Sequence, residues 1–244
     1  MDGFSASIFF RELGILYEAF LYKESLSLPV PSIQFADFSV WQRGWVQTDG
    51  AQEQLAYWKE KLSSPPKDLD LPLDFRRPDV PSHEGSRYLL NFPPSLTQEL
   101  NRVSREEGVS LYMLLLAAYQ TLLHQYSNQN DIIVGSPVAN RNHPQVEDII
   151  GIFINALAMR TRFSGDPSFR EILQQVRKTA FEAYENQDIP FEMVAGALVS
   201  GRDTSRNPIF QVSFILQNTP PPFIRSADLN ISYDEVGNNT SKLD

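Results

Sequence analysis

The residues best suited to general acid–base work are His83, His124 and His143, the only imidazoles in 244 residues. Imidazole titrates near neutral pH, but it acts as a base only beside a positioned partner. None of the three stands with Asp or Glu at metal-ligand spacing. His83 falls in a Pro-rich stretch and reads as solvated. His124 falls late in a long apolar run, where a helix-end cation or a satisfied core histidine is the plain reading. His143 follows Asn140-Arg141-Asn142 in a polar loop. Cysteine is absent, which excludes thiol catalysis, disulfides and Cys-ligated zinc. No Gly-x-Ser-x-Gly elbow, phosphate loop or dinucleotide fingerprint occurs. By residue chemistry alone the chain carries no complete active site.

Other positions are odd for a plain core. Asn155 lies in the apolar run 149–159, where an amide must find a neighbour or meet a ligand. Arg160 ends that run and suits either a buried carboxylate or solvent. Asp2-Gly3, just ahead of a helical pattern, has the form of a cap. Trp41 stands in an aromatic-rich helical stretch, where core packing is commoner than a ligand platform.

The elements that must position these residues follow from periodicity. Residues 6–21 read as an amphipathic helix. A second helical region holds Phe35, Phe38, Trp41, Trp45, Tyr57 and Trp58, with Gly44 and Gly50 as its expected break points. Residues 63–84 carry Pro65, Pro66, Pro72, Pro78 and Pro81 among charges, an expected linker between two lobes. Beyond it, 86–92 reads as a strand. A helix is expected from the capping-box form at Ser95 to Gly108, and a buried helix over 111–126 capped by Ser110. Strands are expected over 131–138, 151–162, 209–216 and 229–233, with helices over 169–184 and 190–198. Interleaved strands and helices make the class α/β or α+β with a mixed sheet.

Composition narrows the partners. Hydrophobic residues are 42% and charged residues 21%, ordinary globular values. At roughly 150 residues per domain, the length gives one or two domains. The net charge of −9 argues against a phosphate-backbone binder, so no nucleic acid is expected. No apolar run reaches the roughly 18 residues of a membrane span, and no secretory signal leads the chain. The expectation is a cytoplasmic protein with polar or protein partners.

Taken in order, several stretches resemble the condensation domain of nonribosomal peptide synthetases. Met1-Asp2-Gly3-Phe4-Ser5 resembles the tail of the His-His-x-x-x-Asp-Gly signature. Phe35-Ala36-Asp37-Phe38-Ser39-Val40-Trp41 resembles Tyr-x-Asp-Phe/Tyr-Ala-Val-Trp. Ile150-Gly151-Ile152-Phe153-Ile154-Asn155-Ala156, running on to Arg160, resembles Ile/Val-Gly-x-Phe-Val-Asn-Thr ending in Arg. Asn186 to Glu192 resembles His/Asn-Gln-Asp-x-Pro-Phe-Glu, and Arg202 to Pro208 resembles Arg-Asp-x-Ser-Arg-Asn-Pro. Their order over nearly the whole chain is what makes the set specific.

The resemblance implies a two-lobed fold like chloramphenicol acetyltransferase, with a tunnel between the lobes. It implies amide formation between thioesters carried on the phosphopantetheine of donor and acceptor peptidyl carrier proteins, beside adjacent synthetase domains, with no directly bound cofactor and no metal. Asp2 inherits an ion pair that holds the active-site loop, for which Arg160 is one partner to test. Gly3 inherits a position that leaves room for the pantetheine arm, and Asn155 one near the tunnel or the lobe interface. Trp41 packs behind the site. Arg202 and Arg206 suit fold-organising ion pairs or a carrier phosphate. Amide formation fits better than heterocyclisation or epimerisation, since Met1-Asp2-Gly3-Phe4-Ser5 matches neither of those signatures. By motif position both signature histidines precede Met1. The expected reading is therefore an incomplete domain: 1–62 the end of the first lobe, 63–84 the linker and 85–244 most of the second, inactive alone. The alternative is a non-catalytic carrier-binding module or a degenerate remnant.

Overall fold

The computed structural model describes residues 1–25, 28–75, 78, 80, 82–198, 207–217, 223–226, 229–232, 237 and 239–241. The stretch from Arg202 to Arg206, the end of the strand expected over 229–233, and Pro81 lie outside the described residues. The chain divides into two compact units: residues 1–52, 138–155 and 217–236, and residues 53–137, 156–216 and 237–244. The Pro-rich stretch 63–84 belongs to the second unit.

In the first unit, helix α1 spans Gly3–Tyr22. It starts three residues earlier than apolar spacing predicts because Asp2 caps it. Asp2 holds an extended backbone, and its Oδ1 accepts the Ser5 N–H at 2.8 Å. The helix ends at Lys23 in the left-handed region, where Glu24 N–H closes on Ala19 O at 3.0 Å. Helix α2 spans Phe35–Trp45, opened by Asp37 Oδ2 accepting the Gln34 N–H at 2.7 Å. Helix α3 spans Asp49–Lys61 and from Glu53 on belongs to the second unit. Gly44 and Gly50, the expected break points, lie within α2 and α3. The break is at 46–48 instead, where the Thr48 hydroxyl donates to Trp45 O at 2.7 Å. A short turn of helix, α6, spans Pro144–Glu147. The unit's apolar core joins Phe38, Val146, Ile149 and Phe153, with Ile33 and Phe35 packed against it. Strands β3 (Phe223–Ser226) and β4 (Leu229–Ser232) pair antiparallel, Phe223 opposite Ser232.

In the second unit, helix α4 spans Pro94–Glu106. Its start differs from the expected cap at Ser95: Pro93 is the cap residue, and Pro94 at the first helical position brings a preset φ and lacks only a donor that would be unpaired anyway. Helix α5 spans Leu111–Ser127 and is capped by Ser110, as its sequence predicts. Strand β1 spans Asp131–Val138, and β2 spans Asn155–Arg162 beside it. Helix α7 spans Phe169–Glu185, opened by a reciprocal Ser168–Glu171 cap, and α8 spans Phe191–Leu198. Gln120 of α5 lies fully buried yet satisfied: it donates to Met159 O at 2.8 Å and accepts from the Thr161 hydroxyl at 2.8 Å.

Two expected strands are corrected. Residues 86–92 form none. Tyr88, Leu89, Leu90 and Phe92 are exposed there, and among the described residues no neighbouring strand accepts their N–H groups in a ladder. Just ahead of this stretch, Glu84 makes an antiparallel bridge to Thr240. The 209–216 stretch makes a single parallel bridge, Ser213 to Gly135, flanked by Gly135 N–H to Val212 O and Phe214 N–H to Gly135 O, both at 2.9 Å. The Phe210 ring fills the place of any Gly135 side chain, so this close approach requires glycine. Among the described residues no helix is long and apolar enough to cross a membrane.

Candidate functional site

The strand expected from 151 begins only at Asn155, and the reason defines the site. Backbone groups that a ladder would have taken are bonded to the start of α1. Asp2 N–H donates to Gly151 O at 3.1 Å, and Phe153 N–H donates to Asp2 Oδ2 at 3.1 Å. The Ser5 hydroxyl donates to Gly151 O at 2.8 Å and accepts Gly151 N–H at 3.0 Å. The Asp2-Gly3 and Ile150-to-Asn155 stretches thus meet through main chain.

Arg141 closes the node. Its Nη2 donates to both Asp2 oxygens at 3.1 and 3.2 Å and to the Ser5 hydroxyl at 3.0 Å. Its Nη1 donates to Val146 O at 2.6 Å and Ile149 O at 2.8 Å, gathering the loop that leads to Gly151. Its guanidinium lies 4.2 Å from the Phe153 ring centre, a cation–π geometry. The Asp2 and Arg141 side chains are 1% and 5% exposed. Arg141, not Arg160, is therefore the partner of Asp2.

This carboxylate has no free capacity. Its two oxygens accept Ser5 N–H, Phe153 N–H and the shared Arg141 donor. Burial by itself pushes the Asp2 carboxyl up. Hydrogen bonds from Ser5 and Phe153 and the Arg141 charge outweigh it, so the carboxyl is held below its ordinary value. A saturated, ionised carboxylate is a poor proton acceptor, so Asp2 holds structure in place and does not exchange protons.

Gly3 is exposed, and a Cβ built there would meet nothing within 4 Å. Among the described residues, nothing occupies the place of a Gly3 side chain. Gly151 is the opposite case, since a Cβ there would run into the Phe35 ring. Phe35 opens α2, so the aromatic stretch 35–41 meets the node through that contact and through Phe38 and Phe35 against Phe153, at 4.7 and 5.1 Å between ring centres. Trp41, expected to pack behind the site, is 44% exposed; its ring lies against Phe38, Trp45 and, edge-on, His143 at 5.7 Å. Asn155 is buried as the first residue of β2.

Arg160 is built into the second unit. Its Nε and Nη2 donate side-on to the Asp131 oxygens at 2.9 and 2.6 Å. Its remaining donors take Lys61 O, Ser63 O and Ser64 O, at 3.0, 2.9 and 2.9 Å. These are carbonyls at the exit of α3, otherwise unpaired at a helix end. The Asn186-to-Glu192 stretch is likewise held by α3: Gln54 Oε1 accepts Asp188 and Ile189 N–H at 3.1 and 3.0 Å, and Trp58 Nε1 donates to Asn186 O at 2.8 Å.

The histidines stay outside the node. His124 Nδ1 lies 2.8 Å from Gln129 O with its ring stacked on Phe163, a satisfied helix-end histidine. His83 and His143 are exposed. Among the described residues no group of three His, Cys, Asp or Glu could hold a metal. Sequence reasoning missed Arg141, Ser5, Asp131, Gln54 and Trp58. The signal for Arg141 was present, a lone cation in a polar loop just after a strand; the others carried none.

The comparisons fit this arrangement. The family model described as Condensation domain matches residues 1–242, and the chain belongs to the condensation domain family. A linear gramicidin synthase of Brevibacillus parabrevis is 47% identical over the whole chain, which spans 5% of that synthase's length. Gramicidin S synthase 2 of Brevibacillus brevis is 40% identical, also over the whole chain, which spans 5% of its length. A crystal structure of a four-domain nonribosomal peptide synthetase bound to AMP and glycine superposes with a TM-score of 0.88 at 26% identity, over 100% of this chain and 19% of that one. The fold is that of condensation domains.

Proposed function

We propose that these residues work as part of a nonribosomal peptide synthetase condensation domain that forms an amide bond between carrier-bound thioesters. The observation that carries this reading is the node that seats the signature Asp2 on the Gly151–Phe153 backbone: two separate stretches of the family resemblance are joined by bonds that neither makes alone. In the reaction, the acceptor's amine nitrogen attacks the donor's thioester carbonyl. A C–N bond forms, the C–S bond breaks, and the donor pantetheine leaves as thiol with the proton the amine gives up.

Within this scheme, Asp2 and Arg141 hold the start of α1 and Gly3 leaves space for the pantetheine arm of a peptidyl carrier protein. Trp41 and Asn155 support the wall around Phe153 and the start of β2. Arg160 has a different role from the one the resemblance suggested, as the anchor of the α3 exit. Phosphopantetheine arrives as substrate on the carriers, and adjacent synthetase domains and a cytoplasmic setting go with that role. None of the 244 residues stands at the motif position of the reaction-centre histidine, so this stretch alone is expected to be inactive.

The test places this sequence in a complete condensation domain, behind the family's two signature histidines, and measures amide product from carrier-loaded donor and acceptor thioesters. Product is expected from the complete domain and none from the 244 residues alone. A folded, complete domain that binds carriers and yields no product would overturn the reading in favour of a binding module.

A further inference from the structure

Several serine and threonine hydroxyls on other helices satisfy themselves locally. Ser39 donates to Phe35 O, Thr121 to Ala117 O and Ser127 to Leu123 O, each four residues back at 2.7 to 2.9 Å. Such back-bonding is the default for a hydroxyl on a helix. Ser5 does something else. Its hydroxyl reaches across 146 residues to Gly151, donating to the carbonyl at 2.8 Å and accepting the N–H at 3.0 Å. The remaining acceptor site takes Arg141 Nη2 at 3.0 Å. One donor and two acceptors are the full complement of a hydroxyl, and Ser5 is 0% exposed. Its own N–H is committed to Asp2 Oδ1. Two residues on, Ser7 has a buried hydroxyl with no partner among the described residues. One turn of α1 thus carries a saturated hydroxyl and, on a different face, an idle one.

We propose that Ser5 is a positioning residue for amide formation: its hydroxyl locks the first turn of α1, and with it Gly3, onto the Gly151 backbone. This rests on the function proposed above. The bond pair to Gly151 fixes two backbone atoms of one residue from a single side-chain oxygen, which sets both the distance and the tilt of the helix start. Arg141 and Asp2 fasten the same turn by charge, and Ser5 is the neutral group that gives it a register. Losing the hydroxyl leaves the buried Gly151 N–H without this acceptor and takes one bond from Arg141 Nη2, while Gly151 O keeps the Asp2 N–H and Arg141 keeps Asp2. The first turn then loses its side-chain lock on Gly151 and is free to shift.

The experiment uses a complete condensation domain carrying this sequence behind the signature histidines, with kcat and KM for the acceptor-loaded carrier and the melting temperature read on each variant. Ser5→Ala is expected to lower kcat by about tenfold or more with KM within about twofold, the mark of misplaced reacting groups and not of lost binding. Ser5→Thr, which keeps the hydroxyl, should recover most of that loss. Ser7→Ala removes an idle hydroxyl and should leave kcat near the parent. If the parent makes no amide, the proposed function fails before this inference is reached. With an active parent, Ser5→Ala at the parental kcat overturns the positioning role. So does a loss matched by Ser7→Ala, or one confined to KM. Should Ser5→Ala not fold, Ser5→Cys, similar in size with a weak donor, is read by the same split, and a parental kcat there overturns it equally.

Discussion

The two units each bury an arginine against an aspartate, and the pairs are built differently. Arg160 meets Asp131 side-on, with Nε and Nη2 on separate oxygens at 2.9 and 2.6 Å, the fork geometry that suits guanidinium and carboxylate best. All its donors are used, since the carbonyls of Lys61, Ser63 and Ser64 take the rest. Its aspartate is 26% exposed. Arg141 offers Asp2 a single nitrogen shared between two oxygens, and its Nε has no partner among the described residues. Yet Asp2 is only 1% exposed and accepts two backbone N–H groups besides. In the second unit the arginine is saturated and the carboxylate partly wet. In the first the carboxylate is saturated and the arginine is not. The saturated partner marks what each node is for: Arg160 collects the end of a helix, and Asp2 fixes the beginning of one.

The largest expected effect comes from breaking the drier pair. Arg141→Met strands a buried, ionised Asp2 along with the loop carbonyls, and should cost about 3–5 kcal/mol of stability, the range for removing one partner of a buried pair. Denaturant unfolding followed by tryptophan fluorescence checks this, because Trp41 and Trp45 report on the first unit and Trp58 on the second. The Trp41/Trp45 signal should move first. A loss no larger than that of a surface substitution would mean water reaches Asp2, and the contrast between the nodes would collapse.

Arg160→Met is next. Asp131 can recover water through its exposed edge, so the cost is that of unpaired carbonyls at the α3 exit, about 1–3 kcal/mol. The Trp58 signal should report it. A cost above that of Arg141→Met would invert the ranking and show that the α3 exit matters more than the dry carboxylate.

These two arginines also show how far the sequence could be read. Arg160 was legible as a cation at the end of an apolar run, suited to a buried carboxylate or to solvent, but its partner was not. Asp131 lies 29 residues away at the head of another strand, and nothing local links the two. Arg141 looked like a loop residue because the surface that buries it is assembled from Asp2, Ser5 and 146–153, which meet only on folding. The cap at Ser110 was plain, since a cap bonds within a few residues of itself. The strand expected over 86–92 failed for the complementary reason. Alternation specifies a face but not a neighbour, and the backbone there finds no ladder among the described residues.

A difference in acid response should separate the nodes further. The Asp2 carboxyl is held below its ordinary value in the folded chain. Its contribution is therefore fully present above the unfolded value of about 3.9 and is lost as pH falls through the lower folded value. Unfolding of the first unit should show a steeper loss of stability below about pH 4 than the Asp2→Asn variant does. Parallel curves for the two would show that Asp2 has the same proton affinity folded and unfolded.

The smallest effect concerns the cation that Asp131 has in reserve. Arg162 Nε approaches the same Oδ2 at 3.4 Å, but its side chain is 55% exposed. An exposed ion pair of this kind contributes about 0–1 kcal/mol and weakens with salt. Arg162→Ala should therefore barely move the Trp58 transition in a wild-type background. In the Arg160→Met background Arg162 is the arginine left to Asp131, and its removal should cost measurably more at low ionic strength than at high. That non-additivity, measured as a double-mutant cycle at two salt concentrations, reads out the wetness of the second node directly. Strict additivity at both salts would mean that Asp131 gains nothing from Arg162 even when Arg160 is gone. The partly exposed carboxylate would then be stabilised by water alone, which makes the contrast with the dry, fully bonded Asp2 sharper still.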